Sequence, residues 1–347
     1  MTTRQEQQHD SGREFGEFSE FGELGTSGEP VTFGAASTAD DVLAGIDLSG
    51  RTALVTGGYS GLGLEITRAL GKAGAHVVVP ARRPLAAQEA LRGTDGVEVQ
   101  ELDLADQSSV RRFAERFLAT RRALDIIINN AGVMACPETR VGPDGTWESH
   151  FAINHLGHFA LVNRLYPALS PGTSRVVSVA SSGHFLSDIR WEDPHFHQGY
   201  DRWLAYAQSK TANALFAVHL DSLSAAGSGS AAGSGPRAFS VHPGSILTPL
   251  QRHIPREEQI AQGWMSADGT PAQGFKSPAQ GAATAVWAAT SPLLDAHGGA
   301  YCQDCGVAEP ATTDDMLTGG VKPWATDPEA AARLWQLSAE LTGLGDL

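Results

Sequence analysis

Residues 52–63 read Thr-Ala-Leu-Val-Thr-Gly-Gly-Tyr-Ser-Gly-Leu-Gly, an apolar run of strand type followed directly by a glycine-rich turn. Apolar residues then recur at helical spacing from Leu62 to Leu70, and a second apolar run follows at 75–79. A strand, a glycine turn, a helix and a second strand within about thirty residues are typical of the first unit of a dinucleotide-binding sheet. Glycines let the backbone approach a pyrophosphate, and the helix N-terminus offers free N–H groups. The alternative, a flexible loop in a chain with 39 glycines, is disfavoured by the flanking strand and helix.

The alternation of strand and helix patterns continues beyond this first unit. Strand candidates alternate with amphipathic helical stretches as far as Tyr301. This alternation predicts an α/β fold: a single Rossmann-type doubly wound parallel sheet with helices on both faces. A chain of 347 residues could hold one large domain or two small ones. We expect one sheet domain, over residues 38–305.

Three segments lack the sheet pattern. Residues 1–37 are polar, acidic and Gly-rich, which predicts a disordered acidic tail, although phenylalanines at every third position could form a weak apolar face. Residues 225–236 contain mostly Gly, Ser and Ala and predict a flexible surface loop. Residues 306–347 predict a C-terminal extension, with a helix that begins at Asp327-Pro328 and packs against the domain. Thr38 and Asp41 suit a cap for a short helix before the first strand.

Composition argues against several kinds of partner. The formal net charge of −14 disfavours nucleic acid and anionic membranes. Neither a signal peptide nor an apolar run of membrane-spanning length is visible, so we expect a cytoplasmic protein that does not bind membranes. Three cysteines are too few for a disulfide framework. Cys302 and Cys305 have zinc-like spacing, and His297 is a conceivable third ligand, but a structural zinc site needs four ligands and we expect no metal.

Tyr206-Ala-Gln-Ser-Lys210 places a phenol and an ammonium one helical turn apart, on the same helix face. A free tyrosine has a pKa of roughly 10 and is a poor proton donor or acceptor at neutral pH. A neighbouring cation favours the phenolate, so we expect Lys210 to lower the pKa of Tyr206. The chain has only four lysines among its 25 basic residues, so a lysine here indicates a chemical requirement. Alone, the pair is a weak motif that many surface helices carry by chance.

Three motifs in this order resemble the signature of the short-chain dehydrogenase/reductase family. They are Thr56-Gly-x-x-x-Gly61-x-Gly63, Asn129-Asn130-Ala131-Gly132 and Tyr206-x-x-x-Lys210. The resemblance extends from about Ile46 to about Tyr301. The stretch Asn154-His-Leu-Gly-His-Phe159, with the long gap before the tyrosine, is most similar to the retinol-dehydrogenase-like branch. The resemblance implies an oxidoreductase that transfers a hydride between a nicotinamide cofactor and a carbonyl or alcohol carbon.

The resemblance also implies four catalytic positions. Ser181 would hydrogen-bond the substrate oxygen, although the assignment could slip by one residue to Ser182. Asn154 would support a water that links the lysine to solvent. Tyr206 would act as the general acid or base. Lys210 would lower the pKa of the tyrosine and bind the nicotinamide ribose.

The end of the second strand predicts which nicotinamide cofactor the site prefers. NAD-selecting sites usually place an acidic residue there, to bind the adenosine ribose hydroxyls. This chain instead has Val79-Pro-Ala-Arg82-Arg83, with no carboxylate. Arginine binds a phosphate dianion through two parallel hydrogen bonds. We therefore predict NADP(H), with Arg82 as the main contact and Arg83 second; a solvated arginine pair at a turn is the alternative.

The family pattern implies further cofactor contacts along the chain. They are Gly57, Ser60, Gly61, Leu62 and Gly63 in the turn; Asp103 and Leu104 near the adenine; Asn130, Ala131 and Gly132; Tyr206 and Lys210; and Pro243, Gly244, Ile246 and Thr248. Aromatic-rich stretches on both sides of Tyr206 predict an apolar pocket, so we expect a hydrophobic ketone, aldehyde or secondary alcohol. An NADP-binding sensor without turnover and a reductase of a C=C bond are the alternatives. A homodimer is implied only by the family resemblance, through the helices that carry Asn154 and Tyr206.

Overall fold

The computed structural model describes residues 23–24, 30–226 and 235–345 and divides the chain into two compact units, 1–32 and 33–347. In the first unit, Glu23–Leu24 (β1) pairs antiparallel with Pro30–Val31 (β2). The predicted tail at 1–37 and loop at 225–236 therefore fall mostly outside the described residues. Residues 33–37 are described: Phe33 packs against the hydrophobic core, and the Gln280 side chain donates to Ala36 O at 3.2 Å.

An eight-stranded sheet forms the centre of the second unit. The strands of this unit are β3 (Thr52–Val55), β4 (His76–Ala81), β5 (Val97–Glu101), β6 (Ile126–Asn129), β7 (Arg140–Val141), β8 (Trp147–Glu148), β9 (Arg175–Val179), β10 (Arg237–His242), β11 (Tyr301–Gln303) and β12 (Gly306–Val307). Their order in the sheet is β5-β4-β3-β6-β9-β10-β11-β12, while β7 and β8 form a separate hairpin. Neighbours from β5 to β11 are parallel, and β12 is antiparallel to β11.

Helices cover both faces of this sheet. The described α-helices are α1 (Ala39–Val42), α2 (Gly61–Lys72), α3 (Pro84–Ala90), α4 (Gln107–Ala119), α5 (Gly157–Leu165), α6 (Arg202–Ala226), α7 (Arg256–Ala261), α8 (Pro278–Thr290) and α9 (Pro328–Thr342). Successive side chains of a strand point to opposite faces, so Val55 packs in one layer with Ile66 of α2, and Leu54 packs in the other with Phe113 of α4. The predicted doubly wound α/β fold is confirmed.

Both caps expected from the sequence are present. Thr38 Oγ1 accepts the Asp41 N–H at 3.2 Å, and the Asp41 carboxylate accepts the Thr38 N–H at 2.8 Å, which is a capping box at the start of α1. The Asp327 carboxylate accepts the Glu329 N–H at 2.9 Å at the start of α9. These short-range signals are therefore confirmed in the structure.

Helix α9 packs on α5 and α6. The Trp335 ring lies 4.8 Å from that of Phe159 and 5.8 Å from that of Phe216, measured between centroids. Ser338 Oγ is 2.7 Å from His155 Nε2. The chain thus buries part of the helix surface on which the expectation of a homodimer rested. The homodimer stays a prediction, and it would need surface that α9 leaves free.

Candidate active site

The glycine turn after β3 forms the start of the site. Gly57 and Gly61 have positive φ values of 65° and 51°, a region that favours glycine. A Cβ added at Gly63 would lie 2.4 Å from Gly57 O and 2.5 Å from Asn130 Nδ2, so only glycine fits where the turn crosses the start of α2. The N–H groups at this helix N-terminus are of the kind that binds phosphate, and their contact with a cofactor stays a prediction.

The segment after β6 is fixed to this turn through Thr56. The Asn130 and Ala131 N–H groups donate to Thr56 Oγ1 at 2.9 and 3.0 Å, and Asn130 Nδ2 donates to Thr56 O at 2.8 Å. Thr56 Oγ1 also lies 2.8 Å from His158 Nε2, while His158 Nδ1 lies 2.9 Å from Asn154 O. Because a carbonyl only accepts, Nδ1 carries the ring proton, and the Thr56 hydroxyl donates to Nε2. Two of the family-like motifs thus share one hydrogen-bond network.

Three of the predicted catalytic side chains converge at the ends of β9 and α6. Ser181 follows β9, and its Oγ accepts the Gly183 N–H at 3.0 Å. A Cβ added at Gly183 would lie 3.1 Å from Tyr206 Cε1 and 3.3 Å from Ser181 Oγ, which places these two side chains next to each other. Lys210 Nζ lies 5.7 Å from the centroid of the Tyr206 ring and donates to Val179 O at 2.8 Å. All three residues line the same cavity, so a substrate oxygen bound there can meet both hydroxyl groups.

The pKa shifts in this cluster are set by burial. Burial raises the pKa of Tyr206 to about 12, against the opposing effect of its hydrogen bond with Ser181. This direction is opposite to the lowering expected from Lys210, because the loss of hydration disfavours the phenolate. Burial also lowers the pKa of Lys210 to about 8, so its ammonium still predominates at pH 7. At neutral pH the pair therefore consists of a protonated phenol and a buried cation.

Asn154 lies behind this cluster. It belongs to a π-helical stretch, Phe151–Leu156, where the helix widens before α5. Its side chain exchanges two hydrogen bonds with the Val133 backbone, at 2.8 and 3.0 Å, and donates to Ser209 Oγ at 2.9 Å. A Cβ added at Gly132 would lie 3.2 Å from Asn154 Oδ1 and 3.8 Å from Lys210 Nζ, which places the amide close to the lysine.

The neighbouring serines are in different environments. Ser182 also lines the cavity, and its N–H donates to His242 Nδ1 at 3.1 Å. Ser178 is buried within β9, where its Oγ accepts from Asn129 Nδ2 at 3.2 Å. The position of the Ser181 Oγ beside the Tyr206 ring favours Ser181 over Ser182 as the substrate-binding hydroxyl.

A cavity of about 1160 Å³ joins these parts. It is lined by most of the residues predicted from the sequence: Gly57, Ser60, Gly61, Leu62, Gly63, Arg82, Arg83, Asn130, Ala131, Gly132, Ser181, Tyr206, Lys210, Pro243, Gly244, Ile246 and Thr248. Asp103, Leu104 and Asn154 are not among the lining residues. Leu104 is buried, and its carbonyl lies against Gly157 in α5, so the structure does not bring it to the cavity.

The part of the cavity next to the end of β4 has basic character. Arg82 and Arg83 are exposed and line the cavity where β4 ends. Among the described lining residues the single carboxylate is Asp304, which forms an ion pair with Lys276. No acidic side chain is therefore placed beside the arginines in the part of the cavity that the structure describes.

Lys276 and Asp304 are site residues that the sequence did not reveal. The Lys276 N–H donates to Ser245 O at 2.8 Å, and its side chain packs on Gly244, where a Cβ would lie 2.8 Å from Lys276 Cδ. Asp304 lies in the turn between β11 and β12, with a positive φ of 52°. This pair joins the loop after β10 to the edge of the sheet. The one sequence feature that pointed to Lys276 was the scarcity of lysine in the chain.

The metal and membrane alternatives gain no support from the described residues. Cys302 is buried in β11 and Cys305 lies in the next turn. Among the residues that the structure describes, no group of three His, Cys, Asp or Glu side chains is arranged to hold a metal ion. In the same part of the chain, no helix is both long and apolar enough to cross a membrane.

Comparison with known proteins agrees with this geometry. The family model described as short chain dehydrogenase matches residues 51–259. A probable oxidoreductase from Streptomyces lividans is 44% identical over 86% of this chain and 100% of its own length. Retinol dehydrogenase 11 from Mus musculus is 35% identical over 86% of this chain and 88% of its own length.

Solved structures show the same fold. A structure of an uncharacterized protein from Mycobacterium Paratuberculosis has a TM-score of 0.68 and 35% identity, covering 89% of this chain and 98% of that one. The RhlG/NADP active-site complex from Pseudomonas aeruginosa has a TM-score of 0.56 and 25% identity, covering 74% and 95%. The chain therefore belongs to the short-chain dehydrogenase family of oxidoreductases, and retinol dehydrogenases are among its relatives.

Proposed function

We propose that the protein is an NADP(H)-dependent carbonyl reductase, which reduces hydrophobic aldehydes or ketones and can run the reverse oxidation of the alcohol. The observation that carries this proposal is the convergence of Ser181, Tyr206 and Lys210 in one cavity with the glycine turn at the start of α2. This shared space supports a proposal in which the cofactor and the proton donor meet the same substrate.

The cavity suits a phosphorylated dinucleotide. Gly63 allows the turn to pack closely on the start of α2, because any Cβ there would overlap Gly57 O, and the free N–H groups of α2 beside the cavity suit a pyrophosphate. Arg82 and Arg83 at the end of β4 suit an additional phosphate on the adenosine ribose. The NADP complex of the Pseudomonas aeruginosa structure supports this choice for the present chain.

The chain's own residues supply the proton and hold the substrate. NADPH, when bound, would supply the hydride. Ser181 and Tyr206 hydroxyls would both donate to the carbonyl oxygen and hold its carbon in place. As negative charge develops on that oxygen, Tyr206 transfers its proton to give the alcohol, and the raised pKa ensures that the phenol starts protonated. The Lys210 ammonium then stabilises the phenolate that remains.

The substrate side of the cavity is largely apolar. Its lining includes Met134, Leu186, Trp203, Leu250, Trp264 and Phe275. Such a lining binds apolar groups and offers few polar anchors beyond the catalytic hydroxyls. It therefore favours a carbonyl compound with a hydrophobic body.

The test is NADPH consumption by the purified protein across a panel of hydrophobic aldehydes, ketones and α,β-unsaturated ketones, with product analysis. We expect alcohols as products. Saturated ketones from the unsaturated substrates would instead indicate a C=C reductase. NADPH binding without turnover of any member would indicate a sensor and would overturn the proposal.

A further inference from the structure

The C-terminal loop, residues 308–322, adds a wall to the cavity that the family-like motifs do not account for. Met316, Leu317 and Gly319 from this loop line the cavity together with the residues around Tyr206. The loop belongs to the extension after β12, more than a hundred positions from the tyrosine in the chain. These three residues are therefore available to contact a substrate that occupies the cavity.

Hydrogen bonds hold this loop in a defined shape. Ala311 N–H donates to Val321 O at 2.8 Å, and Val321 N–H donates to Glu309 O at 2.9 Å, which closes its base. Lys322 Nζ pairs with the Asp314 carboxylate at 2.5 Å and donates to Thr313 O at 2.9 Å. At the tip, Leu317 N–H donates to Asp315 Oδ1 at 2.9 Å. The position of the tip is therefore set by the base.

His184 joins the loop to the catalytic serine. The Lys322 N–H donates to His184 Nε2 at 3.1 Å, and Trp324 Nε1 donates to His184 O at 3.1 Å. Because Nε2 accepts, the ring proton is on Nδ1, which donates to Ser181 O at 2.7 Å. Burial lowers the pKa of His184 to about 4, so the ring stays neutral in the physiological range. The loop base and Ser181 are thus held by one buried imidazole.

The tip of this ordered loop exposes apolar side chains at the cavity opening. Leu317 is 81% exposed, and Leu186, which also lines the cavity, is 47% exposed. We call Leu186, Met316 and Leu317 the mouth rim. Apolar side chains that line a binding cavity and also reach solvent are positioned to contact the part of a ligand that extends outward. Because the rim is continuous with the cavity, a substrate bound in the cavity is the ligand best placed to contact it.

We propose that the mouth rim is a subsite for the distal end of an extended apolar chain on the carbonyl substrate, and that Leu317 makes the protein select for chain length. This proposal rests on the proposed carbonyl reduction and specifies the substrate further. A chain attached to the carbonyl would pass along the apolar lining and place its last methylenes against Leu317.

The first experiment measures kcat/KM for a homologous series of straight-chain aldehydes with the wild type, Leu317→Ser and Leu293→Ser. Leu293 is the control for a leucine-to-serine change outside the site, because it is partly exposed, at 37%, and does not line the cavity. In the wild type, each methylene that reaches the rim should raise kcat/KM by up to about fourfold. Leu317→Ser should lower kcat/KM for the longest members by about tenfold more than for the shortest. Leu317→Met, which keeps the volume, should restore the chain-length dependence.

Two results would overturn the proposal. One is a dependence of kcat/KM on aldehyde chain length that is the same in Leu317→Ser as in the wild type. It would mean that Leu317 does not contact the alkyl chain of the substrate. The other is a sedimenting mass that is lower for Leu317→Ser than for the wild type. This result would mean that the rim is an interface between copies of the chain.

A binding measurement separates this inference from the proposed reaction. Straight-chain N-alkyl formamides carry a carbonyl oxygen and are not reduced, so their affinity for the NADPH complex can be measured without turnover. If no aldehyde is reduced, the proposed function fails. Chain-length-dependent formamide affinity that Leu317→Ser removes would still support the rim, whereas affinity independent of chain length would contradict it.

Discussion

The arginine pair at the end of β4 gives the sharpest test of cofactor choice. Arg82 and Arg83 are exposed and line the cavity, and no carboxylate among the described lining residues lies there to bind ribose hydroxyls. A hydrogen bond to a charged group contributes about 1.5–3 kcal/mol, and solvent exposure favours the lower value. Removing one arginine should therefore weaken NADPH binding about tenfold, and removing both should weaken it by up to about a hundredfold. NADH, which lacks the phosphate, should bind as before.

The assay is titration of NADPH and NADH into Arg82→Ala, Arg83→Ala and the double variant, followed by nicotinamide fluorescence. Arg92→Ala is the control, because Arg92 is an exposed arginine beside the same helix α3 that pairs with Glu89 and does not line the cavity. In the first three variants the dissociation constant for NADPH should rise while that for NADH stays unchanged. In Arg92→Ala neither constant should change. An unchanged ratio in the double variant would refute the reasoning, and so would equal losses for both cofactors.

Three further changes test other parts of the structure. Gly63→Ala should weaken NADPH binding at least about tenfold, because the added Cβ would lie 2.4 Å from Gly57 O; an unchanged affinity would contradict the close approach. Trp335→Ala should lower the free energy of unfolding in urea by about 3 kcal/mol, since this buried ring packs on Phe159; a loss below about 1 kcal/mol would mean that α9 is not docked as described. The kcat/KM for NADPH should fall as pH rises through about 8, because the Lys210 ammonium loses its proton there; a profile that stays level to pH 9.5 would argue against a lowered pKa of Lys210 or against a role for its charge.

Much of the fold could be predicted because its signals are local. The glycine turn at 57–63 is specified by adjacent residues, since positive φ and close packing select glycine there. Thr38 and Asp327 cap their helices through bonds that span two or three positions. The spacing of Tyr206 and Lys210 on one helix face likewise needed no knowledge of the tertiary structure.

The parts that could not be predicted depend on contacts between distant segments. The direction of the Tyr206 pKa shift is set by burial under several elements, and the Tyr-to-Lys spacing carries no information about burial. Leu317 lines the cavity on a loop whose base is bonded to His184, far away in the chain. The placement of α9 over Phe159 and Phe216 depends on the packing of a helix far away in the chain.

The measurement that tests the central claim most directly compares Tyr206→Phe with the wild type, for both NADPH affinity and turnover of the best aldehyde or ketone. The phenylalanine keeps the ring and removes the hydroxyl that would protonate the substrate oxygen. We predict NADPH affinity within about twofold of the wild type and turnover lower by about a hundredfold to ten-thousandfold, the range for loss of a general acid. Turnover equal to the wild type, with NADPH bound, would show that Tyr206 is not the proton donor.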